Sequence, residues 1–242
     1  MEETNTEEII VEEPSTIIAL QEEKERFPFR KEDLRYKHIE IKTKNESNAV
    51  VICVMDVSGS MGTNEKYLAR AFFFLLYQFV KRRYSGQVEV VFVRFHTEAK
   101  EVDEDTFFHS GESGGTHISS GIKEAIRIVN ARYHPSLWNI YTVTVSDGGN
   151  SGYDDDDAVK ASVELAKMAT LFGYIEIATS DTAQAIYQTM FNYGQQGDYE
   201  TFYKKVAEAL KATDKDNYAV GKISNKQGVW PVLKHLLAKD KD

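Results

Sequence analysis

The chain has a single cysteine, Cys53, so no disulfide can form within it, and a reducing compartment is the natural setting. Cys53 sits inside an apolar run and reads as a small buried hydrophobe. No stretch reaches the ~18 apolar residues that a membrane span needs. The N-terminus, MEETNTEEIIVEEP, is acidic where a signal peptide would be basic. The expectation is a soluble, cytoplasmic protein. Basic charge is also scarce: 29 Lys and Arg against 38 Asp and Glu leave a net charge of -9. That balance argues against a nucleic-acid-binding surface, which needs clustered cations to neutralise phosphates. Of the four prolines, Pro14 and Pro28 discourage helix near the start.

What is present is a globular composition, 42% hydrophobic in 242 residues, enough for one sizeable core. Residues 1–27 are Glu-rich without a sustained period and read as an acidic, flexible N-terminal arm with apolar clusters at Ile9 to Val11 and Ile17 to Leu20. Residues 28–48 are a mixed, basic linker or extended segment, and residues 49–239 are the domain proper.

From Ala49 strand and helix patterns alternate. AVVICVMD is short, continuous and β-branched, as a buried strand is. Helices are expected over 63–84, 117–133, 154–171, 181–193, 198–211 and 226–239, and strands over 87–96, 99–102, 139–147, 171–178 and 217–223. The strand at 99–102 reads as a short antiparallel neighbour of the one before it. Phe72 to Phe74 read as core, Asp154 to Asp157 as acids opening a helix, and Pro231 as a first-turn proline. KRRY, 81 to 84, reads as basic charge closing the first helix. The alternation predicts an α/β, Rossmann-like domain with a mostly parallel central sheet and helices on both faces. Ligands of such sheets bind beyond the carboxyl ends of the strands, where the strand order reverses.

Those ends carry the chemistry. The first strand stops at Asp56, and DVSGS places Ser58 and Ser60 beside it in a glycine-bearing turn. Thr116 follows Gly114 and Gly115, and Asp147 precedes Gly148 in SDGG. A parallel sheet gathers these loops. Carboxylate and hydroxyl oxygens are hard donors that suit Mg²⁺, Mn²⁺ or Ca²⁺ rather than zinc. His96, Glu98 and Glu112 lie at the same edge, where they shape a partner pocket or tune the ion from outside its ligands, or simply make loop hydrogen bonds.

Asp56, Ser58, Ser60, Thr116 and Asp147, in this order and after these elements, resemble the metal-ion-dependent adhesion site of von Willebrand factor A domains: Asp-x-Ser-x-Ser, a distant Thr, a distant Asp-Gly. SNAVVICVMDVSGSMG, EKYLARAFFF, HTEAK, GESGGT, NIYTVTVSDG and NYAVGKIS are similar to the YeaH/YhbH family of bacterial stress and sporulation proteins, over roughly residues 30–239. The chain is shorter than typical members, and Ser180 to Asp216 departs from their pattern. The resemblance implies that Ser58, Ser60 and Thr116 touch a divalent ion directly and that the aspartates act largely through water. A ligand position then stays open for a partner's Asp or Glu. Gly148 falls in the same loop. The implied role is non-enzymatic protein binding, alongside a serine protein kinase or a SpoVR-like protein.

The alternative is an Mg²⁺-dependent phosphotransferase or hydrolase using Asp56. Phosphotransferases of the haloacid dehalogenase type need a second aspartate two residues on, and Ser58 stands there. SGSMG does not match a Gly-x-Ser-x-Gly hydrolase elbow either.

Overall fold

A computed structural model describes residues 48–84, 87–109, 114–179 and 202–240. The expected arm and the linker up to residue 47, Glu112 and the helix expected over 181–193 lie outside the described residues.

The long apolar run forms β1 (Asn48–Asp56), a strand buried almost throughout. Its alternation serves two layers. Val51, Cys53 and Met55 face one core, and Val50, Ile52 and Val54 face the other. This is why the strand shows no polar face: both of its faces are covered. Burial also pushes the Cys53 thiol far up, so it stays protonated and inert.

After β1 come α1 (Thr63–Arg83), β2 (Val88–Phe95), β3 (Ala99–Val102), α2 (Glu104–His109), α3 (Ile118–Arg132), β4 (Trp138–Ser146), α4 (Asp155–Met168) and β5 (Leu171–Ile177). The described chain closes with α5 (Phe202–Lys211), β6 (Tyr218–Ile223) and α6 (Lys226–Leu237). The sheet order is β3-β2-β1-β4-β5-β6. All neighbours are parallel except β2 and β3, which pair antiparallel through Phe95 and Ala99. Helices α1, α2 and α6 cover one face, and α3, α4 and α5 the other. On the second face α3 sits so close that a Cβ on Gly121 would come within 2.5 Å of the Phe95 ring.

Ile118, Ile122, Ala125 and Val129 form the buried stripe of α3, as their spacing predicts. Three expectations need correction. Phe72 and Phe73 are buried, but Phe74 is 61% exposed, because consecutive helical residues point about 100° apart and the third faces outward. Pro231 is not in the first turn of α6. Asn225 caps that helix, its side chain accepting the Gly228 N–H at 3.1 Å, so the helix starts at Lys226 and Pro231 falls in its second turn. The helix expected to run to residue 171 ends at Met168. Ala169 is extended there and the Thr170 N–H donates to the Ile140 carbonyl at 2.8 Å. The short helix α2 has no counterpart among the expectations. Asp103 caps it, accepting the Thr106 N–H and hydroxyl at 2.8 Å each.

Among the described residues no helix is long and apolar enough to cross a membrane.

Candidate metal centre

β1 lies where the strand order turns: the chain goes from β1 to β2 on one side, then crosses to β4 on the other. The crevice beyond β1 and β4 is therefore the expected ligand position for this architecture. Asp56 ends β1, and Asp147 follows β4.

Asp56 is fully buried. Its Oδ1 accepts the Ser58 N–H at 2.9 Å, and its Oδ2 accepts the Ser146 hydroxyl at 2.7 Å. The chain then turns tightly, with the Met61 N–H donating to the Ser58 carbonyl at 3.1 Å. That turn holds the Ser58 and Ser60 hydroxyls 3.2 Å apart. Ser58 is buried and Ser60 is exposed, so the cluster opens to solvent on the Ser60 side. The Ser60 hydroxyl also lies against the Asp147 carboxyl. Asp147 itself is buried. Its Oδ1 accepts the Gly149 N–H at 2.9 Å, while its Oδ2, also buried, has no hydrogen-bond partner among the described residues.

Thr116 is half-buried just ahead of α3. Its carbonyl accepts both the N–H and the hydroxyl of Ser151, each at 3.0 Å. Next along, the His117 N–H donates to the His96 carbonyl at 2.8 Å, and the Ile118 N–H to Asn150 Oδ1 at 3.0 Å. The Ser119 N–H and hydroxyl donate to buried Asp154 at 2.9 and 2.5 Å. The loops after β2, before α3 and after β4 are thus tied to one another around the end of β1. Acids 154 to 157 stand at the start of α4 as expected, but Asp154 spends both its oxygens on α3.

The outlying residues are placed as follows. His96 Nδ1 accepts the Thr97 N–H at 2.7 Å, and the His96 N–H donates to the Glu98 carbonyl at 3.0 Å. Both belong to the tight turn between β2 and β3, and the Glu98 residue is exposed. Gly148 has φ of +84°, a left-handed conformation that glycine adopts without strain, and a Cβ there would come within 2.5 Å of the Glu176 carboxylate. Its contribution is thus a backbone turn against Glu176.

Four further residues at this edge escaped the sequence reading. Ser146 joins the two strand ends, donating to Asp56 and accepting the Gly148 N–H at 3.2 Å. Glu65, in the first turn of α1, is buried and takes the Thr179 hydroxyl at 2.5 Å. Glu176, buried near the end of β5, pairs with Lys222 at 2.5 Å. A glutamate inside the apolar LFGYIEIA was a visible signal; Ser146, Glu65 and Thr179 carried none, because their roles depend on the tertiary approach.

The electrostatics follow from burial. The Asp56 carboxyl is pushed up to about 7, by loss of water first and then by the neighbouring Asp147 charge. Asp147 is raised as well, by burial and by Glu65, against the lowering effect of the Ser60 and Gly149 hydrogen bonds. Neither has a Lys or Arg beside it among the described residues. Tyr174 beneath them is raised too, by burial and then by Glu176, Asp56 and Asp147. Burying two carboxylates together without a cation is unfavourable, and a bound divalent ion would reverse the sign of that field. Among the described residues no three His, Cys, Asp or Glu side chains converge as metal ligands. Any ion held here depends on the serine and threonine hydroxyls, a donor set suited to a hard cation. The residues present fit such an ion: two buried carboxylates, one with an orphaned oxygen, and paired hydroxyls facing an opening.

The chain is similar to known proteins in sequence and in fold. Residues 1–240 match the family model described as "Protein of unknown function (DUF444)". A UPF0229 protein of Ruminiclostridium cellulolyticum is 46% identical over 221 residues, covering 90% of this chain and 51% of that protein. A UPF0229 protein of Clostridium perfringens is 41% identical over 215 residues, with 89% and 50% covered. The chain thus spans about half the length of the curated relatives it matches. Among solved structures the VWA domain of SpRpn10 aligns with a TM-score of 0.55 at 10% identity, covering 81% of this chain and 98% of that one. At such identity the likeness speaks to the fold alone, which is that of a von Willebrand factor A domain.

Proposed function

The chain belongs to the DUF444 family, and from that premise we propose that it is a protein-binding module whose contact with its partner runs through a divalent cation. The observation that carries the reading is the pair of buried carboxylates, Asp56 and Asp147, set with the Ser58 and Ser60 hydroxyls at the carboxyl end of the sheet and lacking a cationic side chain among the described residues. Asp56, Ser58, Ser60, Thr116 and Asp147 would hold Mg²⁺, with Mn²⁺ or Ca²⁺ as substitutes. The ion would supply Lewis acidity toward a carboxylate of the partner.

Residues around the strand ends divide the tasks in this reading. The Ser58 N–H and the Ser146 hydroxyl fix both oxygens of Asp56, so that carboxylate is oriented before any ion arrives. The Gly149 N–H does the same for one oxygen of Asp147 and leaves the other to act. Ser60, on the exposed side, borders the direction from which a partner approaches. Few anionic ligands leave an ion electrophilic, so an incoming Asp or Glu gains more. The phosphotransferase alternative is disfavoured because a nucleophile must reach its substrate, and Asp56 is wholly buried with both oxygens engaged.

The finer identity also belongs to this proposal. The quoted motifs suggest the YeaH/YhbH proteins, a cytoplasmic role in stress response or sporulation, and a serine protein kinase or SpoVR-like protein as partner. The test is titration calorimetry of the chain with Mg²⁺ and Mn²⁺, followed by affinity capture of partners with magnesium or EDTA. Saturable binding lost in Asp56→Ala, and a partner captured only with the ion, are expected; a folded chain that binds no divalent ion overturns the reading.

A further inference from the structure

The far edge of the sheet carries a second feature, independent of the metal centre. β6 is the last strand, and among the described residues no strand lies beyond it. On its inner side the Asn217 carbonyl accepts from Phe172 N–H at 2.9 Å and the Ile223 carbonyl from Ala178 N–H at 3.0 Å. Backbone groups alternate sides along a strand, so the residues between, Tyr218, Val220 and Lys222, turn their N–H and C=O groups outward. The Val220 carbonyl meets the Tyr203 hydroxyl at 3.5 Å, the outer limit of a hydrogen bond and readily displaced.

This edge is not flush with the surface. It forms the floor of a cleft of about 330 Å³ between α5 and α6. Lys204 and Lys211 of α5, His235 of α6 and Lys239 just past it line the cleft against one acid, Glu208. The chain carries a net charge of -9 overall, so this cationic rim runs against its average. Lys204, Lys211 and Lys239 form no ion pair among the described residues. Lysines that merely guard an edge from aggregation stand in the strand itself. Lys222 does stand there and is engaged with Glu176 at 2.5 Å and with the Tyr203 ring at 4.9 Å. The other lysines come from the flanking helices and face the space that an added strand would fill.

We propose that this edge binds an extended acidic peptide segment of a partner protein, as an added strand on β6. The backbone of Tyr218, Val220 and Lys222 supplies the main-chain pairing, and the lysines of α5 and the Lys239 end of α6 select glutamate or aspartate at alternate positions. A nucleic acid shares the negative charge but cannot use the strand's donors and acceptors.

The test uses the full chain, uniformly ¹⁵N-labelled, and a fluorescein-labelled ten-residue peptide of alternating Glu and Val with blocked ends. Anisotropy should show saturable binding in the micromolar range, the same in EDTA as in magnesium, with amide shifts concentrated at Tyr218, Val220 and Lys222. Lys204→Glu with Lys211→Glu, both at exposed positions, should weaken it by about tenfold or more. Methylating the peptide's amides along one edge should abolish it. Absence of saturable binding overturns the proposal. So does equal affinity for the methylated peptide, for the charge-reversed chain, or for a single-stranded oligonucleotide of the same charge. Insensitivity to EDTA keeps this outcome separate from that of the metal centre.

Discussion

At the amino end of the sheet the side chain of Asp240 is buried with Arg83 at 3.0 Å and the Tyr141 hydroxyl at 3.0 Å, and that tyrosine meets Tyr84 at 2.9 Å. At the carboxyl end Asp56 and Asp147 are buried as deeply, yet they have hydroxyls and backbone N–H groups for neighbours and no cation among the described residues. Both ends take carboxylates out of water. The amino end answers each charge with a partner already in the chain, so its purpose is architectural: it ties the end of α6 to α1 and β4. The carboxyl end answers Glu176 with Lys222. It holds no cation beside Asp56 and Asp147 among the described residues, and in the proposed reading a divalent ion would supply one. Burial alone therefore does not mark a functional acid; two acids buried side by side without a counter-charge are the stronger sign.

The sharpest way to break this contrast is to remove one acid from each end. Asp56→Ala should lower Mg²⁺ affinity by at least ~100-fold by calorimetry while the far-ultraviolet spectrum stays native. Asp240→Ala should leave the affinity within about twofold, since it lies at the opposite end. Equal losses would erase the distinction.

The second comparison is in pH. Asp56 is raised to about 7 when folded against an ordinary value near 3.8. The folded, ion-free chain therefore holds more protons than the unfolded chain across that interval, and its stability is fully present below pH ~4 and declines as pH rises through 7. The size is on the order of 4 kcal/mol, read from urea unfolding in EDTA. Asp147 shifts in the same direction. Magnesium should reverse the slope, because the ion binds the ionised pair; an unchanged slope would separate the acids from the ion.

A smaller effect of opposite sign should follow from neutral isosteres. Asp56→Asn should stabilise the ion-free chain by about 1–3 kcal/mol, since it removes a buried charge. Asp240→Asn should destabilise it by about 1–3 kcal/mol, since Arg83 loses its partner. Smallest is Phe74→Ser, on the exposed side of α1, which should change the melting midpoint by no more than about 0.5 kcal/mol equivalent.

Much of this architecture was legible in the chain. The run from Val50 to Met55 has no polar alternation because both faces of β1 are covered, and it marked a buried strand; the strand-helix alternation that follows it implied the parallel sheet flanked by helices. The strand-end acids could be read because a carboxylate closing such a run has no packing reason to be there. What escaped reading depends on contacts distant in sequence. Ser146 fell inside the strand expected over 139–147, and its hydroxyl acquires meaning only when β1 lies beside β4. Glu65 stands in the first turn of α1, where an acid is commonplace, and nothing local says that Thr179 arrives to bond it. The six residues of α2 are too few for a period to emerge. Phe74 was misplaced because adjacency in sequence stood in for angular position on a helix, and Pro231 because the sixth residue of a helix lies past its first turn.

The ties among the loops have a mechanical outcome. Thr116 and Ser151 are joined twice through one carbonyl, and Asn150 and Asp154 hold the first turn of α3. The threonine and Asp147 therefore travel together, as parts of a single plate. In the proposed reading, accommodation of an ion of different radius would fall on the opposite jaw, the Ser58 to Gly62 turn that leads into α1. Since α1 runs 21 residues across the domain, from Thr63 to Arg83, a small tilt at that turn would be delivered to the opposite pole, where Arg83 grips Asp240.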